Sequence, residues 1–169
     1  HSVRLFARAA SASSVAGHAI DGDIRNGDAV YAAAEGCDAI IHMAALVSVW
    51  RPRARDFDDV NVNGLRHVLA AARTVGVRKV LYTSSFLALP PSDGGDVIQA
   101  NDYQRTKVKA EQVAAASERA GIPLIRLYPG VVYGPGEMTE GNLVGRLVRD
   151  HLARRLPGLI GPKRIWSYA

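Results

Sequence analysis

The sequence lacks the features that tie a chain to a membrane or to the secretory pathway. It contains a single cysteine, Cys37, so no internal disulfide can form. No apolar run approaches the length needed to span a bilayer, and the first residues show no signal-peptide pattern. We therefore expect a cytoplasmic, reducing setting, with no membrane partner and no metal site.

The basic charge also lacks the pattern of a nucleic-acid-binding protein. The formal charge of +5 comes from scattered arginines, and the densest cluster, at residues 51–55, has no interleaved aromatic residues. We interpret that cluster as a solvated loop and predict a small-molecule substrate with no nucleic-acid partner. A homodimer is compatible with the sequence, which does not decide the oligomeric state.

What the sequence does contain is an alternation of short apolar runs and longer amphipathic runs over 169 residues, one domain's length. This alternation predicts an α/β fold with a parallel sheet. The strands are predicted at Val3–Ala7, His18–Ile20, Ala39–Met43, Val80–Tyr82 and Leu124–Tyr128. The helices are predicted at Gly27–Ala34, Phe57–Thr74, Asn101–Ala120 and Asn142–Leu152. The continuous apolar character of residues 39–43 predicts a strand buried on both faces.

The pair Tyr103 and Lys107 carries the strongest chemical signal. Positions i and i+4 share one helix face, so the phenol and the ammonium point the same way. A cation near a phenol lowers its pKa from about 10, which makes a tyrosine usable as a proton donor or acceptor. The preceding strand ends in Ser84 and Ser85, either of which could hold the oxygen whose proton moves.

Further segments occur in order along the chain: Gly22-Asp-Ile24, Ile41-His-Met-Ala-Ala45, Asn61-Val-Asn-Gly64, Thr83-Ser-Ser85 and Arg126-Leu-Tyr-Pro-Gly-Val-Val-Tyr-Gly-Pro135. With Tyr103 and Lys107, they resemble the extended short-chain dehydrogenase/reductase family. The resemblance is greatest to its dihydroflavonol-reductase-like members and its NAD-dependent epimerase/dehydratase group. It implies a Rossmann-like, doubly wound parallel sheet with helices on both faces. Residues 1–169 would form a partial dinucleotide-binding domain, with a substrate-binding region from about residue 134.

The resemblance also implies roles at a reaction centre. Tyr103 would be the general acid/base, and Ser85 matches the family's catalytic serine better than Ser84. Lys107 would hold the nicotinamide-ribose hydroxyls and, together with the oxidised nicotinamide, lower the tyrosine pKa. Three residues would border the nicotinamide: Tyr128, Pro129 and Val132.

Other residues are implied in binding the rest of an NAD or NADP cofactor. Asp23 and Ile24 would clasp the adenine, although an ordinary Asp-Gly turn explains them as well. Ala44 and Ala45 would let the cofactor approach the backbone, or simply pack in the core. Arg8 stands where an acidic residue would bind a ribose 2′-hydroxyl, and an arginine suits a 2′-phosphate, which favours NADP.

Three single polar residues have structural interpretations beside functional ones. Asn61, placed at the start of the long helix, is either a supporting polar group of the site or a helix cap. His42 lies in an apolar strand and is interpreted as a buried structural histidine. Asn142 is either a contact to a nucleotide-sugar or a helix cap. The remaining predicted substrate residues, in the segment after the third strand, are Val47, Ser48 and Trp50.

The family's first strand and its Gly-x-x-Gly-x-x-Gly loop are not found. That strand would be the central one, between the second and the fourth. We therefore expect the chain to be a fragment, inert as it stands, with a gap between the strands at Val3–Ala7 and Ala39–Met43.

The predicted activity is hydride transfer between NAD(P) and a ketone or secondary alcohol. A nucleotide-sugar epimerase and a non-catalytic cofactor-sensing protein are the alternatives. Dehydration is disfavoured because Ser85-Phe-Leu87 replaces the Thr-Asp-Glu set of dehydratases. A serine hydrolase is disfavoured because no G-x-S-x-G surrounds Ser84 or Ser85.

Overall fold

Two compact units make up the chain, His1–Gly130 and Val131–Ala169, and each is described by itself. The structure is a computed structural model that describes residues 1–14, 16–48, 50–130, 132 and 142–156. In this described part of the chain, no helix is both long and apolar enough to cross a membrane.

The first unit alternates strands with helices. Its strands are β1 (Arg4–Ala7), β2 (His18–Asp21), β3 (Ala39–His42), β4 (Lys79–Thr83) and β5 (Leu124–Leu127). Its helices are α1 (Gly27–Ala34), α2 (Arg55–Phe57), α3 (Gly64–Val75) and α4 (Asp102–Arg119), and a π-helical stretch, Asp58–Asn63, joins α2 to α3. The second unit contributes α5 (Leu143–Leu152). These bounds agree with the predicted elements to within a few residues.

The strands form two parallel sheets. β1 pairs with β2, and a second sheet has the order β3-β4-β5, with Ile40 opposite Val80 and Val80 opposite Leu124. Among the described strands, β1 and β3 share no hydrogen-bond ladder. The two strands therefore do not pair directly, as the prediction of a gap between them requires.

The core lies between one face of the three-stranded sheet and the helices α1, α3 and α4. Leu65, Val80 and Ala110 are completely buried there, and the apolar stripe of α3 packs into the same cluster. Gly76 ends α3 in a left-handed conformation (φ 75°), which glycine adopts without a side-chain clash. Asn101 begins α4, since its side chain accepts a hydrogen bond from the Gln104 amide at 2.9 Å.

The prediction that β3 is buried on both faces is wrong for this structure. Ile40 and His42 face the helices, but Ile41 is 64% exposed on the opposite face. β3 is an edge strand of its sheet, and no described element covers that second face. The continuous apolar sequence of β3 therefore corresponds to one buried face and not to two.

Candidate active site

Parallel strands bring their carboxyl ends to one edge of a sheet, and most of the predicted site residues follow such ends. Ala44 and Ala45 follow β3, Ser84 and Ser85 follow β4, and Tyr128 follows β5. Two further residues come from the first half of α4, which packs on the same sheet: Tyr103 and Lys107.

Lys107 is the most unusual residue of this edge, because its side chain is buried although it carries an ammonium group. The residue is 3% exposed, and Nζ lies 5.8 Å from the centroid of the Tyr82 ring and 5.7 Å from that of Tyr103. The faces of two phenol rings therefore attract the cation. No carboxylate of the described residues lies within salt-bridge distance of Nζ. Burial lowers the Lys107 pKa to about 8, and the charge of Glu111 opposes this effect.

Tyr103 is half-buried beside Lys107, and its phenol interacts with the Ser85 hydroxyl. Burial raises the pKa of Tyr103, and the interaction with Ser85 opposes the rise. The expectation that Lys107 and an oxidised nicotinamide together lower this pKa concerns the complex with the cofactor and stays a prediction.

The second serine has a different neighbour. Burial raises the pKa of Tyr82, and the Ser84 hydroxyl opposes this rise, so Ser84 faces Tyr82 while Ser85 faces Tyr103. Both the Tyr82 and the Ser84 hydroxyl are buried, and neither has a hydrogen-bond partner among the described residues. His42 stacks on Tyr82 with ring centroids 5.6 Å apart. Burial lowers the His42 pKa to about 4, so this histidine is neutral at pH 7, as expected for a structural residue.

Asn61 lies within the continuous helical segment 55–75, and the prediction that it begins the helix or caps it is wrong. Its Oδ1 accepts a hydrogen bond from the Leu46 amide at 2.8 Å, and its Nδ2 donates to the Thr106 hydroxyl at 3.0 Å. The side chain therefore ties the loop after β3 to α4, one residue from Lys107. The π-helical turn adds the extra residue that is typical of functional sites in helices.

Arg8 and Asp23 form a second group at the carboxyl ends of β1 and β2. Asp23 is engaged by its neighbour Arg25, whose backbone amide donates to Oδ1 at 2.9 Å. The hydrogen bonds from Arg25 lower the Asp23 pKa to about 2, and the charge of Arg8 contributes further. Ile24 lies between these residues and the core, close to Gly64, where a Cβ would come within 3.1 Å of it.

The predicted substrate residues are less closely grouped. Val47 (44% exposed) and Trp50 (70% exposed) face solvent, so Trp50 does not cover the core. Ser48 donates a hydrogen bond to the Trp50 carbonyl. Val132 and Asn142 belong to the second unit, where Asn142 caps α5 by accepting from the Gly145 amide at 3.1 Å.

Sequence reasoning missed two side chains next to Lys107. Tyr82 lies beneath its ammonium, and its position opposite His42 on β3 depends on the strand register, which the sequence alone does not give. Glu111 follows Lys107 by four residues, so the helical spacing that identified Tyr103 and Lys107 could have found it.

The sequence is similar to those of known proteins. The sequence profile described as the 3-beta hydroxysteroid dehydrogenase/isomerase family matches residues 6–155. "Sterol demethylase protein B" of Methylococcus capsulatus is 30% identical over 94% of this chain and 52% of its own length. A putative dihydroflavonol 4-reductase of Synechocystis is 27% identical over 82% of this chain and 43% of its own length.

A solved structure extends the likeness to the fold. It is a DesIV double mutant (dTDP-glucose 4,6-dehydratase) from Streptomyces venezuelae with NAD and DAU bound. It superposes with a TM-score of 0.71 and 26% identity, covering 84% of this chain and 47% of that one. The chain thus spans about half the length of the relatives that it matches.

The Asn61 contacts generate a test of the loop after β3. Replacement by alanine (Asn61→Ala) removes the acceptor of the Leu46 amide and one of the hydrogen bonds of the Thr106 hydroxyl, so we expect a loss of about 1–3 kcal/mol in the free energy of unfolding. Hydrogen exchange at the Leu46 amide should accelerate. Asn63→Ala, a change in the same π-helical stretch, should leave Leu46 protected, because Asn63 bonds to Asp59 and Arg66 instead. Unchanged exchange at Leu46 in Asn61→Ala would contradict the assigned role.

Proposed function

The chain belongs to the 3-beta hydroxysteroid dehydrogenase/isomerase family, within the extended short-chain dehydrogenases/reductases, and from this we propose that the full-length protein is an NAD(P)-dependent oxidoreductase. It would transfer hydride between the nicotinamide and a ketone or secondary alcohol. The observation that supports this best is the buried Lys107 ammonium, which has no carboxylate within salt-bridge distance among the described residues and lies beside the half-buried Tyr103 phenol.

This arrangement fits a dinucleotide with free ribose hydroxyls. Burying an ammonium without an anion is costly, and a ligand that accepts hydrogen bonds from Nζ recovers part of the cost. Lys107 would hold the nicotinamide ribose, and Tyr128 and Pro129 would border the nicotinamide ring. Small side chains at Ala44 and Ala45 leave the backbone after β3 open to the cofactor.

The chain's own residues would manage the proton. When bound, the dinucleotide supplies or accepts the hydride at the substrate carbon. In the reducing direction, Tyr103 donates its phenolic proton to the substrate oxygen, and Ser85 donates a hydrogen bond to the same oxygen. Lys107 stabilises the phenolate that remains on Tyr103. In the oxidising direction, the proton returns from the alcohol to Tyr103.

Apolar side chains favour a hydrophobic carbonyl compound over a sugar. Val47 and Trp50 follow β3, and Phe86 and Leu89 follow β4, so both segments start from the same edge of the sheet. All four are exposed, Trp50 to 70%. Phe86 and Leu87 also occupy the positions where the dehydratases of this group carry acidic residues, which disfavours elimination. A nucleotide-sugar epimerase remains the rival activity, and Asn142 supports it less because it caps a helix.

We propose this activity for a protein in which a further strand lies between β1 and β3, since these two strands belong to separate sheets. A cytoplasmic location and a homodimer stay predictions from the sequence. The start of a substrate-binding region near residue 134 also stays a prediction, because residues 133–141 lie outside the described part of the chain.

The proton role of Tyr103 is tested by Tyr103→Phe in the full-length protein. The change removes the transferable proton and keeps the ring over which Lys107 lies. We expect kcat to fall by about 10²–10⁴-fold, while the dissociation constant of the dinucleotide stays within about threefold. Turnover of hydrophobic ketones and of nucleotide-sugars is measured side by side, with dinucleotide binding followed by fluorescence.

Tyr31→Phe is the matched control, because Tyr31 lies on α1 and is 40% exposed. It should leave turnover and binding unchanged. If Tyr103→Phe retains full turnover, the proton role is wrong. If the wild-type protein binds a dinucleotide but turns over neither substrate class, the cofactor-sensing alternative replaces the enzyme.

We further propose that Arg8 favours NADP over NAD. Its exposed guanidinium lies at the carboxyl end of β1 and acts electrostatically on Asp23, at the end that would bind the adenosine. Arg8→Gln should raise the dissociation constant of NADPH about tenfold and leave that of NADH nearly unchanged. Arg73→Gln, at an exposed position on α3, is the control. A wild-type preference for NADH, or an equal loss for both dinucleotides, would contradict the NADP preference assigned to Arg8.

A further inference from the structure

Three side chains of α4 form a single stripe that runs from the site into the interior. Tyr103, Lys107 and Glu111 follow at intervals of four residues, so they share one helix face. The proposed function uses the first two members. The third, Glu111, is largely buried, with a side chain that is 13% exposed.

Glu111 is fixed by the strand against which α4 packs. Its Oε2 accepts a hydrogen bond from the Tyr128 hydroxyl at 2.7 Å and one from the Arg126 guanidinium at 3.1 Å. Both partners come from β5 or the residue after it. The carboxylate therefore cannot move away from the stripe without losing two hydrogen bonds.

The second carboxylate oxygen is left unused. Oε1 of Glu111 is buried and has no hydrogen-bond partner in the part of the chain that the structure describes, an arrangement that is costly for a carboxylate. The positive charge of Arg126 is shared between two carboxylates, since its guanidinium also donates a hydrogen bond to Glu118 at 2.8 Å. A negative charge that a single shared guanidinium only partly balances thus lies one helical turn beyond Lys107.

We infer that Glu111 is a positioning residue that acts through Lys107: its anchored carboxylate keeps the buried ammonium charged. This inference deepens the proposed function and rests on it, since the charge of Lys107 is what stabilises the Tyr103 phenolate. The sign of the electrostatic interaction agrees with this role. Burial lowers the Lys107 pKa to about 8, and the charge of Glu111 opposes that fall.

The other groups around Lys107 do not supply a negative charge at neutral pH. His42 on β3 is neutral because burial lowers its pKa to about 4. The pKa values of Tyr82 on β4 and Tyr103 on α4 are both raised by burial, so these phenols are uncharged. The titratable and charged groups that face Lys107, directly or through Glu111, are His42, Tyr82, Tyr103, Glu111, Arg126 and Tyr128.

The charged fraction of Lys107 near neutral pH is therefore sensitive to the charge of Glu111. With a pKa of about 8, roughly nine tenths of Lys107 is charged at pH 7. Glu111 opposes the fall of this pKa, and loss of an effect of about one pKa unit would leave only about half of Lys107 charged at pH 7. The direction of the expected change is therefore defined: loss of the Glu111 charge lowers the Lys107 pKa, so that the ammonium loses its proton at lower pH.

The test measures the ionisation of Lys107 directly in the full-length protein. Lysine side chains labelled with ¹³C and ¹⁵N are titrated by NMR, and the Lys107 signal is assigned by its absence in Lys107→Met. We expect Glu111→Gln, which keeps the shape and removes the charge, to lower the Lys107 midpoint by about one pH unit. Glu111→Asp, which retains the charge, should recover at least part of the shift.

Glu118→Gln is the matched control. Glu118 lies on the same helix and contacts the same arginine, but it is 45% exposed and lies much farther along α4 from Lys107. Its removal should leave the Lys107 midpoint in place. A midpoint that is unchanged in Glu111→Gln, or that falls equally in Glu118→Gln, would overturn the inference.

If Glu111→Gln fails to fold, a further variant tests whether the charge of Glu111 acts on Lys107. Arg126→Gln removes the guanidinium that partly neutralises Glu111, so the Lys107 midpoint should rise. A fall, or no change, would count against the inference. The titration needs neither substrate nor turnover. A protein that shows the shift but reduces no carbonyl compound would therefore refute the proposed function and leave the role of Glu111 standing.

Discussion

The burial of the Lys107 ammonium is the constraint on which the rest of the site depends. A cation that is 3% exposed must be stabilised by its surroundings, and here these are two phenol rings and a carboxylate one helical turn away. β4 provides the Tyr82 ring, and the helix itself provides Tyr103 and Glu111. The position of α4 on the sheet therefore determines both the charge of the lysine and the environment of the catalytic phenol.

Other features of the first unit hold α4 in that position. Asn61, turned inward by a π-helical stretch, joins the loop after β3 to Thr106, the residue before Lys107. Glu111 joins the next turn of the helix to β5. Asn101 fixes the start of the helix just before Tyr103. Polar contacts of these kinds explain why α4, whose only completely buried apolar side chains are the small ones of Ala110 and Ala114, presents its reactive groups in one arrangement.

Much of this could be predicted from the sequence because it depends on local patterns. Strand and helix bounds followed, to within a few residues, from the alternation of apolar and amphipathic runs. Tyr103 and Lys107 followed from helical spacing. The remainder depends on tertiary contacts. The π-helical turn at Asn61, the Tyr82 ring beneath Lys107 and the exposed second face of β3 arise from packing and strand register. The raised pKa of Tyr103 likewise depends on tertiary packing, since burial of the phenol causes it.

The central claim is that Tyr103 becomes a proton relay only when positive charge acts on its phenolic oxygen. The most direct measurement is the pKa of Tyr103 in the full-length protein labelled with ¹³C-tyrosine, with and without the oxidised dinucleotide. The account predicts a raised pKa in the free protein and a fall toward neutrality in the complex, lost in Lys107→Met. A Tyr103 pKa that stays raised when the oxidised dinucleotide is bound would contradict the account.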